Sequence, residues 1–389
     1  MDFLFVINIV AALFSFFVLG LILGVAFSKP LRKQVVSLIG KHLPFLRQFL
    51  VLEKSTHNPI LRPGTHPWTA EAVLNPAAAI INGRTHLIFR AIGMDGVSRL
   101  GYASSPDGVT FDERLPYPIY VSRNPHNTAL NRRRYSPVMY PSGGSWGGCE
   151  DPRMVVFNGW VYVTFNMFEN WQLRTAVIAL SEEDFLAHRF HLWEGPHILS
   201  HTTRDKNWVL FPQTFGGQFA VLHSIIGETD DQVRIEYTDD LTTLRERGFF
   251  SPDPQKIPDK QIAWHTHVRS AGPPPIRTDR GWLVLYHAND HETHKYKVGA
   301  MLLDLVDPTK ILYRSALPVI SPDEHYENAG KPGIVYAGGA TVQGGTLYVY
   351  YGGADKVVCV ATANLETFID AIIQGSQPFL ESTSLAQTT

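Results

Sequence analysis

Two kinds of hydrophobic pattern divide this chain. Residues 3–28 form an apolar stretch without a single charged side chain. From about residue 56 onward, apolar residues come instead in short runs of strand length, separated by turns that carry glycine or proline. About 20 apolar residues suffice to cross a bilayer, whereas short runs bounded by turn residues are typical of β-strands. The pattern predicts one transmembrane helix followed by an all-β domain.

One arrangement recurs through the β region: an apolar run, a turn with glycine, and a run of aromatic or β-branched residues. The turn glycines are Gly83, Gly159, Gly217, Gly281 and Gly345. Asn-Gly and Gly-Gly turns predict hairpins, because they need positive φ. Blades of four strands repeat on this scale, so the pattern favours a five-bladed β-propeller. A two-sheet β-sandwich is the alternative, but it does not require such even spacing.

Basic residues follow the apolar stretch. They are Lys29, Arg32, Lys33, Lys41 and Arg47. Positive charge next to a span tends to remain in the cytoplasm. Only Asp2 is charged before the stretch, which favours an uncleaved anchor over a signal peptide with a positive n-region. We therefore expect a single-pass membrane protein whose following domain lies in the cytoplasm.

The chain divides into four predicted segments. Residues 1–30 are the transmembrane anchor, and residues 31–55 are a basic juxtamembrane helix or stalk. Residues 56–372 form the propeller domain, where the clearest helical patterns are 181–188 and 365–373. Residues 373–389 are polar and are expected to form a disordered tail.

Composition excludes several classes of function. The chain has 34 Lys and Arg against 36 Asp and Glu, so no strongly basic surface indicates nucleic acid as a partner. Two cysteines in 389 residues cannot form a disulfide framework, which agrees weakly with a reducing compartment. No glycine-rich loop precedes a helix, so a nucleotide-binding fold is not expected.

The clearest candidate chemistry lies at residues 146–153, Trp-Gly-Gly-Cys-Glu-Asp-Pro-Arg. Glu150 and Asp151 stand where a loop enters a predicted hairpin. Neighbouring side chains on an extended backbone point to opposite faces, so we expect only one of the two carboxylates to face a site. A turn carboxylate that pairs with Arg153 is the structural alternative.

Titratable side chains also lie at the ends of other apolar runs, at similar positions within the repeat. Arg90 and His287 end their runs, and Asp355 follows the last one. Because the inner strands of a propeller converge, we expect these groups to meet Asp151. Histidines also cluster at 265, 267, 287, 291 and 294 with a spacing that could bind zinc. We predict no metal, since the last two lie in a polar loop.

Several longer motifs accompany these residues. They are Asn-Pro-Ile-Leu at 58–61, Asn-Pro-Ala-Ala at 75–78, Phe-Arg-Ala at 89–91, Ser-Pro-Asp-Gly at 105–108, Glu-Asp-Pro-Arg at 150–153, Leu-Phe-Pro at 210–212, Tyr-His at 286–287 and Ala-Asp at 354–355. In this order, and over about residues 57–365, the chain resembles glycoside hydrolase family 130, the inverting β-mannoside phosphorylases and related enzymes. The resemblance implies a five-bladed propeller.

The resemblance also implies an activity and its residues. The expected reaction is cleavage of β-mannosides by inorganic phosphate with inversion, giving α-mannose 1-phosphate, or the reverse synthesis. Asp151 matches the general acid, which is thought to donate its proton through the 3-hydroxyl of the sugar. The residues that match sugar ligands are Asn75, Arg90 and Asp355. Those that match phosphate ligands are Arg174, Lys206, His287 and Tyr296.

Phosphate chemistry agrees with these residue types. An inverting hydrolase needs a carboxylate base beside its acid, whereas phosphate is already anionic and needs cations that orient it. The retained cations favour phosphorolysis without any cofactor, with phosphate as co-substrate. A β-mannoside hydrolase, a mannosyltransferase, and a propeller that binds glycan without turnover remain alternatives. The anchor would suit a membrane-associated acceptor.

Some features depart from the family pattern. Asn207 stands where a carboxylate is common, Trp208 is bulkier than expected, and Ala288 replaces glycine after Tyr-His. Residues 114–145 form an insertion before Asp151, either a lid, an acceptor-site loop or, as the simpler interpretation, a solvated loop. Trp146, Trp171, Trp208 and Trp264 could stack on sugars, although packing between blades is the commoner role of such residues.

Overall fold

The computed structural model describes residues 52–122, 133–140, 142–200, 206–225, 232–242, 267–289 and 293–375. The predicted anchor, all of the predicted stalk except its last four residues, and residues 376–389 lie outside these ranges. Within them, no helix is long and apolar enough to cross a membrane. The described part of the chain is mostly β-structure with few helices, as the hydrophobic pattern predicted.

The strands follow one another in antiparallel groups. Strand β1 (Glu53–Lys54) comes first in the chain. The first group contains β2 (Ala72–Ile81), β3 (Arg84–Ile92), β4 (Val97–Ser105) and β5 (Glu113–Arg114). The second contains β6 (Gly147–Phe157), β7 (Trp160–Glu169), β8 (Gln172–Ser181) and β9 (Glu194–Ile198). The third contains β10 (Lys206–Phe215), β11 (Gln218–Ile225) and β12 (Gln232–Thr238).

Two further groups complete the described β-structure. The fourth contains β13 (His267–Ala271), β14 (Ile276–Thr278), β15 (Gly281–Asn289), β16 (Tyr296–Leu303) and β17 (Ile311–Arg314). The fifth contains β18 (Val335–Gln343), β19 (Thr346–Gly353) and β20 (Val357–Asn364), and β1 pairs with β20 at its outer edge. A short parallel pairing of β4 with β6 joins the first two groups into one sheet.

Each predicted hairpin is present. Asn-Gly pairs at 82–83 and 158–159 connect β2 to β3 and β6 to β7, and both residues of each pair have positive φ. Gly-Gly pairs at 216–217 and 344–345 connect β10 to β11 and β18 to β19. The remaining turn lies at residues 279–280, so that Gly281 opens β15. The Asn-Gly and Gly-Gly turns form because their residues accept the left-handed backbone.

Buried apolar clusters lie between each group and the next along the chain. Ile88 and Met154 belong to the cluster between the first and second groups, and corresponding clusters follow between the second and third, third and fourth, and fourth and fifth. The fifth group also packs against the first, through Tyr350 and Phe89 among others. The core is therefore a closed series of interfaces between sheets.

An ion pair fastens β1 to the fifth group. Lys54 Nζ lies 2.6 Å from Glu327 Oε2, whose side chain is fully buried. Tyr351 donates a hydrogen bond of 2.8 Å to the other carboxylate oxygen. The beginning of the described chain is thus held against its last strands.

The two predicted helices are confirmed. Helix α1 (Glu182–Leu186) begins after Ser181, whose Oγ accepts a hydrogen bond from the backbone of Asp184. Helix α2 (Leu365–Gly375) buries an apolar face that includes Phe368 and Ile372. It continues three residues into the segment assigned to the tail. Short 3₁₀ helices lie at Pro67–Thr69, Phe190–Leu192 and His325–Glu327.

Candidate active site

A β-bulge interrupts the inner strand of each group at a corresponding place. The first residues inside these bulges are Asn75, Asp151, Asn207, Arg269 and Gly338. The first three have left-handed φ values of 46°, 49° and 63°. A bulge redirects side chains and ends regular pairing, so residues from distant parts of the sequence turn toward one another here.

Asp151 lies at the centre of this convergence. Asn75 Nδ2 donates a hydrogen bond of 2.6 Å to Asp151 Oδ1, and Arg90 Nη1 donates one of 3.1 Å to the same oxygen. Asp151 is only 7% exposed. A Cβ at Gly352 would lie 2.3 Å from the side-chain oxygen of Asn75, so this approach requires glycine. The structure brings together three of the predicted site residues in direct contact.

The expectation that only one of Glu150 and Asp151 faces a site is wrong. The Arg90 guanidinium bonds both carboxylates, since its Nη2 lies 3.0 Å from Glu150 Oε1. The left-handed backbone of Asp151 breaks the strand alternation on which the expectation depended. The alternative pairing is also wrong, because the Arg153 guanidinium donates to the backbone carbonyls of Asp151, Pro152 and Gly272.

The end of the insertion before Asp151 packs onto this cluster. The Ser142 carbonyl accepts a hydrogen bond of 2.8 Å from Arg90, and the Ser142 hydroxyl donates one of 2.6 Å to Glu150. Ser145 Oγ donates to the same carboxylate at 3.2 Å. For the residues described, a purely solvated loop is therefore the wrong interpretation of the insertion. It forms part of the wall of the site.

Asp355 lies in a cavity beside the cluster. The cavity has a volume of about 240 Å³ and lies between the insertion, which contributes Tyr135, and the loops that carry Lys331 and Asp355. Asp355 Oδ2 is 3.8 Å from Lys331 Nζ. Burial raises the pKa of Asp355, and Lys331 and Arg90 oppose that shift. The charge of Arg90 thus links Asp355 to Asp151.

The candidate phosphate ligands differ in how directly the structure connects them to Asp151. Lys206 is largely enclosed, and burial lowers its pKa while the charge of Asp151 opposes the shift. His287 is fully buried, with its ring stacked on Tyr336 at 3.7 Å between centroids. Burial, reinforced by Arg153, keeps the pKa of His287 well below its usual value, so the ring is neutral at pH 7. Both belong to the cluster around Asp151.

Tyr296 and Arg174 are connected to the cluster less directly. Tyr296 pairs with Asn289, two positions from the pairing of His287 with Val298, and therefore shares the sheet face of His287. Arg174 pairs with Met167, which pairs with Cys149, whereas Glu150 pairs with Asn166. By register, Arg174 belongs to the opposite face of that sheet from Glu150. Its Nε is buried and has no hydrogen-bond partner.

The pKa values of the two neighbouring carboxylates shift in opposite directions. Burial favours the neutral form of Asp151, but the charges of Arg90 and Arg153 and the hydrogen bond from Asn75 lower its pKa. Burial is the dominant effect on Glu150 and raises its pKa, although Arg90 opposes it. The charge on Asp151 therefore responds strongly to any charged group that enters the site.

Sequence reasoning missed three members of the cluster. Arg153 was treated as a carboxylate partner, yet its charge acts on Asp151, His287 and Tyr336. The Tyr336 hydroxyl lies 3.3 Å from the Ser270 hydroxyl, and burial raises its pKa to about 12. The charge of Arg269 acts on Lys206. Arg269 lies in a bulge of β13, and no local sequence signal predicts a bulge at that position.

The departures from the family pattern have local explanations. Asn207 and Asn166 exchange two hydrogen bonds, from Asn166 Nδ2 to Asn207 Oδ1 and from the Asn207 backbone to Asn166 Oδ1. Trp208 is fully buried in the core between the second and third groups. Among the residues that the structure describes, no three His, Cys, Asp or Glu side chains are placed to hold a metal. The side chains of His265, His267 and His291 lie outside that set.

Comparison with known proteins identifies relatives of this arrangement. The profile of a family described as beta-1,4-mannooligosaccharide phosphorylase, a glycoside hydrolase 130 family, matches residues 52–374. A 1,2-beta-oligomannan phosphorylase of Thermoanaerobacter sp. (strain X514) is 32% identical over 326 residues, which cover 81% of this chain and 98% of that protein. A beta-1,2-mannobiose phosphorylase of the same organism is 28% identical, covering 81% and 98%.

A solved structure shares the fold. The beta-1,2-mannobiose phosphorylase of Listeria innocua, in complex with beta-1,2-mannobiose, superimposes with a TM-score of 0.64 at 20% sequence identity. The match covers 83% of this chain and 99% of the other. The resemblance drawn from sequence motifs is therefore confirmed at the level of family and fold.

Proposed function

This chain belongs to glycoside hydrolase family 130, and from that premise we propose that it cleaves β-mannosides with inorganic phosphate and releases α-mannose 1-phosphate. The observation that carries the proposal is the buried Asp151 among Asn75, Arg90, Lys206 and His287. The relatives at 32% and 28% identity are named for β-1,2-linked mannosides. We therefore propose this linkage before the β-1,4 linkage of the family description.

The reaction requires one acid and one bound nucleophile. A phosphate oxygen attacks the anomeric carbon of the mannose at the non-reducing end, and the bond from that carbon to the leaving oxygen breaks. The leaving oxygen takes its proton from Asp151, relayed through the 3-hydroxyl of the sugar in the mechanism that the family implies. The products are α-mannose 1-phosphate, with inverted configuration, and a mannoside shortened by one residue. No base is needed, since phosphate is already anionic.

The cluster is suited to an anionic co-substrate. Basic side chains whose charges act within it are Arg90, Arg153, Lys206, Arg269 and Lys331, and acidic ones are Glu150, Asp151 and Asp355. Basic groups thus exceed acidic ones in the described part of the site. We assign Lys206 and His287 to phosphate, with Tyr296, on the sheet face of His287, as a further ligand, and Asn75, Arg90 and Asp355 to the sugar. Arg174, which the resemblance also matches to phosphate, lies by register on the opposite face of its sheet from Glu150 and is left out of this assignment.

Phosphate binding would also prepare the acid. The pKa of Asp151 is lowered in the empty site by Arg90 and Arg153, despite burial, which leaves it ionised. A phosphate anion bound at Lys206, whose charge also lowers the pKa of Asp151, would offset the positive charge around Asp151 and raise its pKa. Proton uptake by Asp151 would then accompany phosphate binding, and the acid would be protonated only when the nucleophile is in place.

An Asp151→Asn variant tests this assignment. It keeps the side-chain shape and should lower turnover of β-mannobiose with phosphate by about 10²- to 10⁴-fold, the usual contribution of a general acid. Binding of mannose, measured by calorimetry, should persist. Asp112→Asn is the matched control, because Asp112 is half exposed and pairs with Arg84 outside the cluster. Unchanged turnover in Asp151→Asn would exclude Asp151 as the acid.

The five-bladed propeller is part of the proposal. It is supported by the five antiparallel groups of strands, by the bulge at a corresponding place in each group, and by the apolar core that connects the fifth group to the first. An experimental structure of the full chain would test the number of blades directly. A sixth sheet within the ring, or an open gap between the first and last groups, would refute it.

The membrane anchor also remains a proposal. Its support is the uncharged stretch at residues 3–28 and the basic residues that follow it. We propose a single-pass protein whose enzyme domain lies in the cytoplasm. The full chain should resist extraction from membranes by alkaline carbonate, and protease should digest its domain only in inverted vesicles. Extraction by carbonate, or digestion in right-side-out vesicles, would overturn the topology.

A further inference from the structure

Three hairpins in the described part of the chain have a two-residue turn that begins with asparagine and in which both residues have positive φ. Two of the turns are Asn-Gly, with φ of 49° and 76° at residues 82–83 and of 55° and 75° at residues 158–159. The third turn connects β7 to β8 through Asn170 and Trp171, with φ of 50° and 64°. Glycine accepts this backbone freely, whereas a bulky side chain is strained by it. Trp171 thus stands where glycine would be favoured.

Packing does not account for this tryptophan. Trp171 is 61% exposed, whereas Trp208 and Trp282 are fully buried. The Arg133 guanidinium lies 4.7 Å from the Trp171 ring centroid, and the Tyr140 ring lies 6.4 Å away. The indole is therefore held by neighbours on part of its surface while most of it faces solvent. Strained residues that persist in a fold are concentrated at functional sites.

The position of the turn relates it to the site. Glu150 pairs with Asn166, and the turn begins four residues further along β7, on the order of 15 Å away. Tyr140, which contacts Trp171, precedes Ser142 by two residues, and Ser142 contacts both Glu150 and Arg90. Trp171 therefore borders the same insertion that forms a wall of the site.

We propose that Trp171, held by Arg133, is a platform for a sugar ring of a longer mannoside, on the leaving-group side of the bond that breaks. Asp151 is only 7% exposed, so the remainder of a bound substrate must emerge toward the rim of the site. An indole offers a broad apolar face to the C–H side of a pyranose ring, and the Arg133 guanidinium offers donors to its hydroxyls. This inference rests on the proposed function and assigns it a preference for longer oligosaccharides.

Substitution to glycine provides a sharp test, since Trp171→Gly creates the favoured Asn-Gly turn and should not lower the melting temperature of the full-length protein. We compare kcat/KM with phosphate for β-mannobiose and β-mannotetraose. The preference for the tetrasaccharide should fall roughly tenfold, the loss expected for one aromatic contact, and Trp171→Tyr should restore part of it. Tyr237→Ala is the matched control, because Tyr237 is partly exposed beside Phe215, at the far end of β10 from Lys206.

The outcomes separate this inference from the proposed function. An unchanged preference in Trp171→Gly, or a loss of the same size on both substrates, would overturn the platform while leaving phosphorolysis intact. If the wild type cleaves no mannoside, the proposed function fails. Calorimetry with β-mannotetraose then tests whether Trp171 is a platform for a sugar. Weaker binding by Trp171→Gly than by wild type supports the platform, whereas equal binding, or none by either protein, overturns it.

Discussion

Arg90 is the residue whose removal would most disturb the site. Its guanidinium donates to Ser98 Oγ, the Ser142 carbonyl, Glu150 and Asp151 at distances of 2.8 to 3.1 Å. Its side chain is 2% exposed, as is that of Glu150. An Arg90→Met substitution would fill much of the same volume but leave two buried carboxylates without their shared cation.

The magnitude follows from this burial. Breaking a buried ion pair by removing one partner costs about 3–5 kcal/mol, because the remaining charge is uncompensated. Arg90→Met should therefore lower the free energy of unfolding by about this amount at pH 7. Arg90→Lys should be intermediate, because a lysine cannot span both carboxylates and the Ser142 carbonyl as a guanidinium does.

The stability that Arg90→Met loses should become smaller as the pH falls. Wild-type Asp151 has a lowered pKa, so its contribution to stability is present above its unfolded pKa and is lost as pH falls through the folded pKa. Without Arg90, burial would raise the pKa of both carboxylates, and the variant would gain stability as pH falls through those raised values. The difference between wild type and Arg90→Met should therefore shrink from pH 7 to about pH 4.5.

Urea denaturation at the two pH values measures both effects. Arg84→Met is the control from the same strand, since Arg84 pairs with Asp112 at the surface, where the two side chains are 38% and 53% exposed. It should cost less than about 1 kcal/mol at either pH. A loss in Arg90→Met no larger than in Arg84→Met, or a difference that does not shrink in acid, would refute the account of this cluster.

Three further predictions follow from other contacts. Because burial keeps the pKa of His287 well below that of the unfolded chain, wild-type stability should fall below pH 6.5 by up to about 1.4 kcal/mol per pH unit, and His287→Gln should flatten that dependence in matched denaturation curves. Lys54→Met leaves the buried carboxylate of Glu327 without its cation and should lower the free energy of unfolding by about 3 kcal/mol. Adding Glu327→Gln should recover most of that loss. Lys206→Met should raise KM for phosphate more than KM for mannoside in initial-rate assays; equal increases would remove Lys206 from the phosphate site.

Local sequence signals predicted the framework of the fold. Asn-Gly at 82–83 and 158–159 determined two hairpins because few other pairs accept their backbone. The beginning of α2 at Leu365 was predicted from its helical pattern, whereas the helix ends at Gly375, two residues beyond the predicted end. The motifs that carry the resemblance also grouped Asn75, Arg90 and Asp151, and in the structure hydrogen bonds join these three side chains.

The remaining features depend on geometry that the sequence does not display. Glu150 joins Asp151 on Arg90 because a bulge changes the direction of one side chain, and nothing in Glu-Asp-Pro-Arg requires a left-handed aspartate. Tyr336 of the fifth group stacks on His287 of the fourth, and no local sequence signal shows which residues of neighbouring groups meet. The sequence left Trp171 between stacking on a sugar and the commoner packing between blades, and only its φ reveals a glycine position.

The most direct test of the central claim is the identity of the first product. The full-length protein in detergent would be incubated with β-1,2-mannobiose, with and without inorganic phosphate, and followed by ³¹P and ¹H nuclear magnetic resonance. We expect cleavage only with phosphate and α-mannose 1-phosphate as the first product, formed together with an equal amount of mannose. Release of free mannose alone, at a rate independent of phosphate, would contradict a phosphorylase.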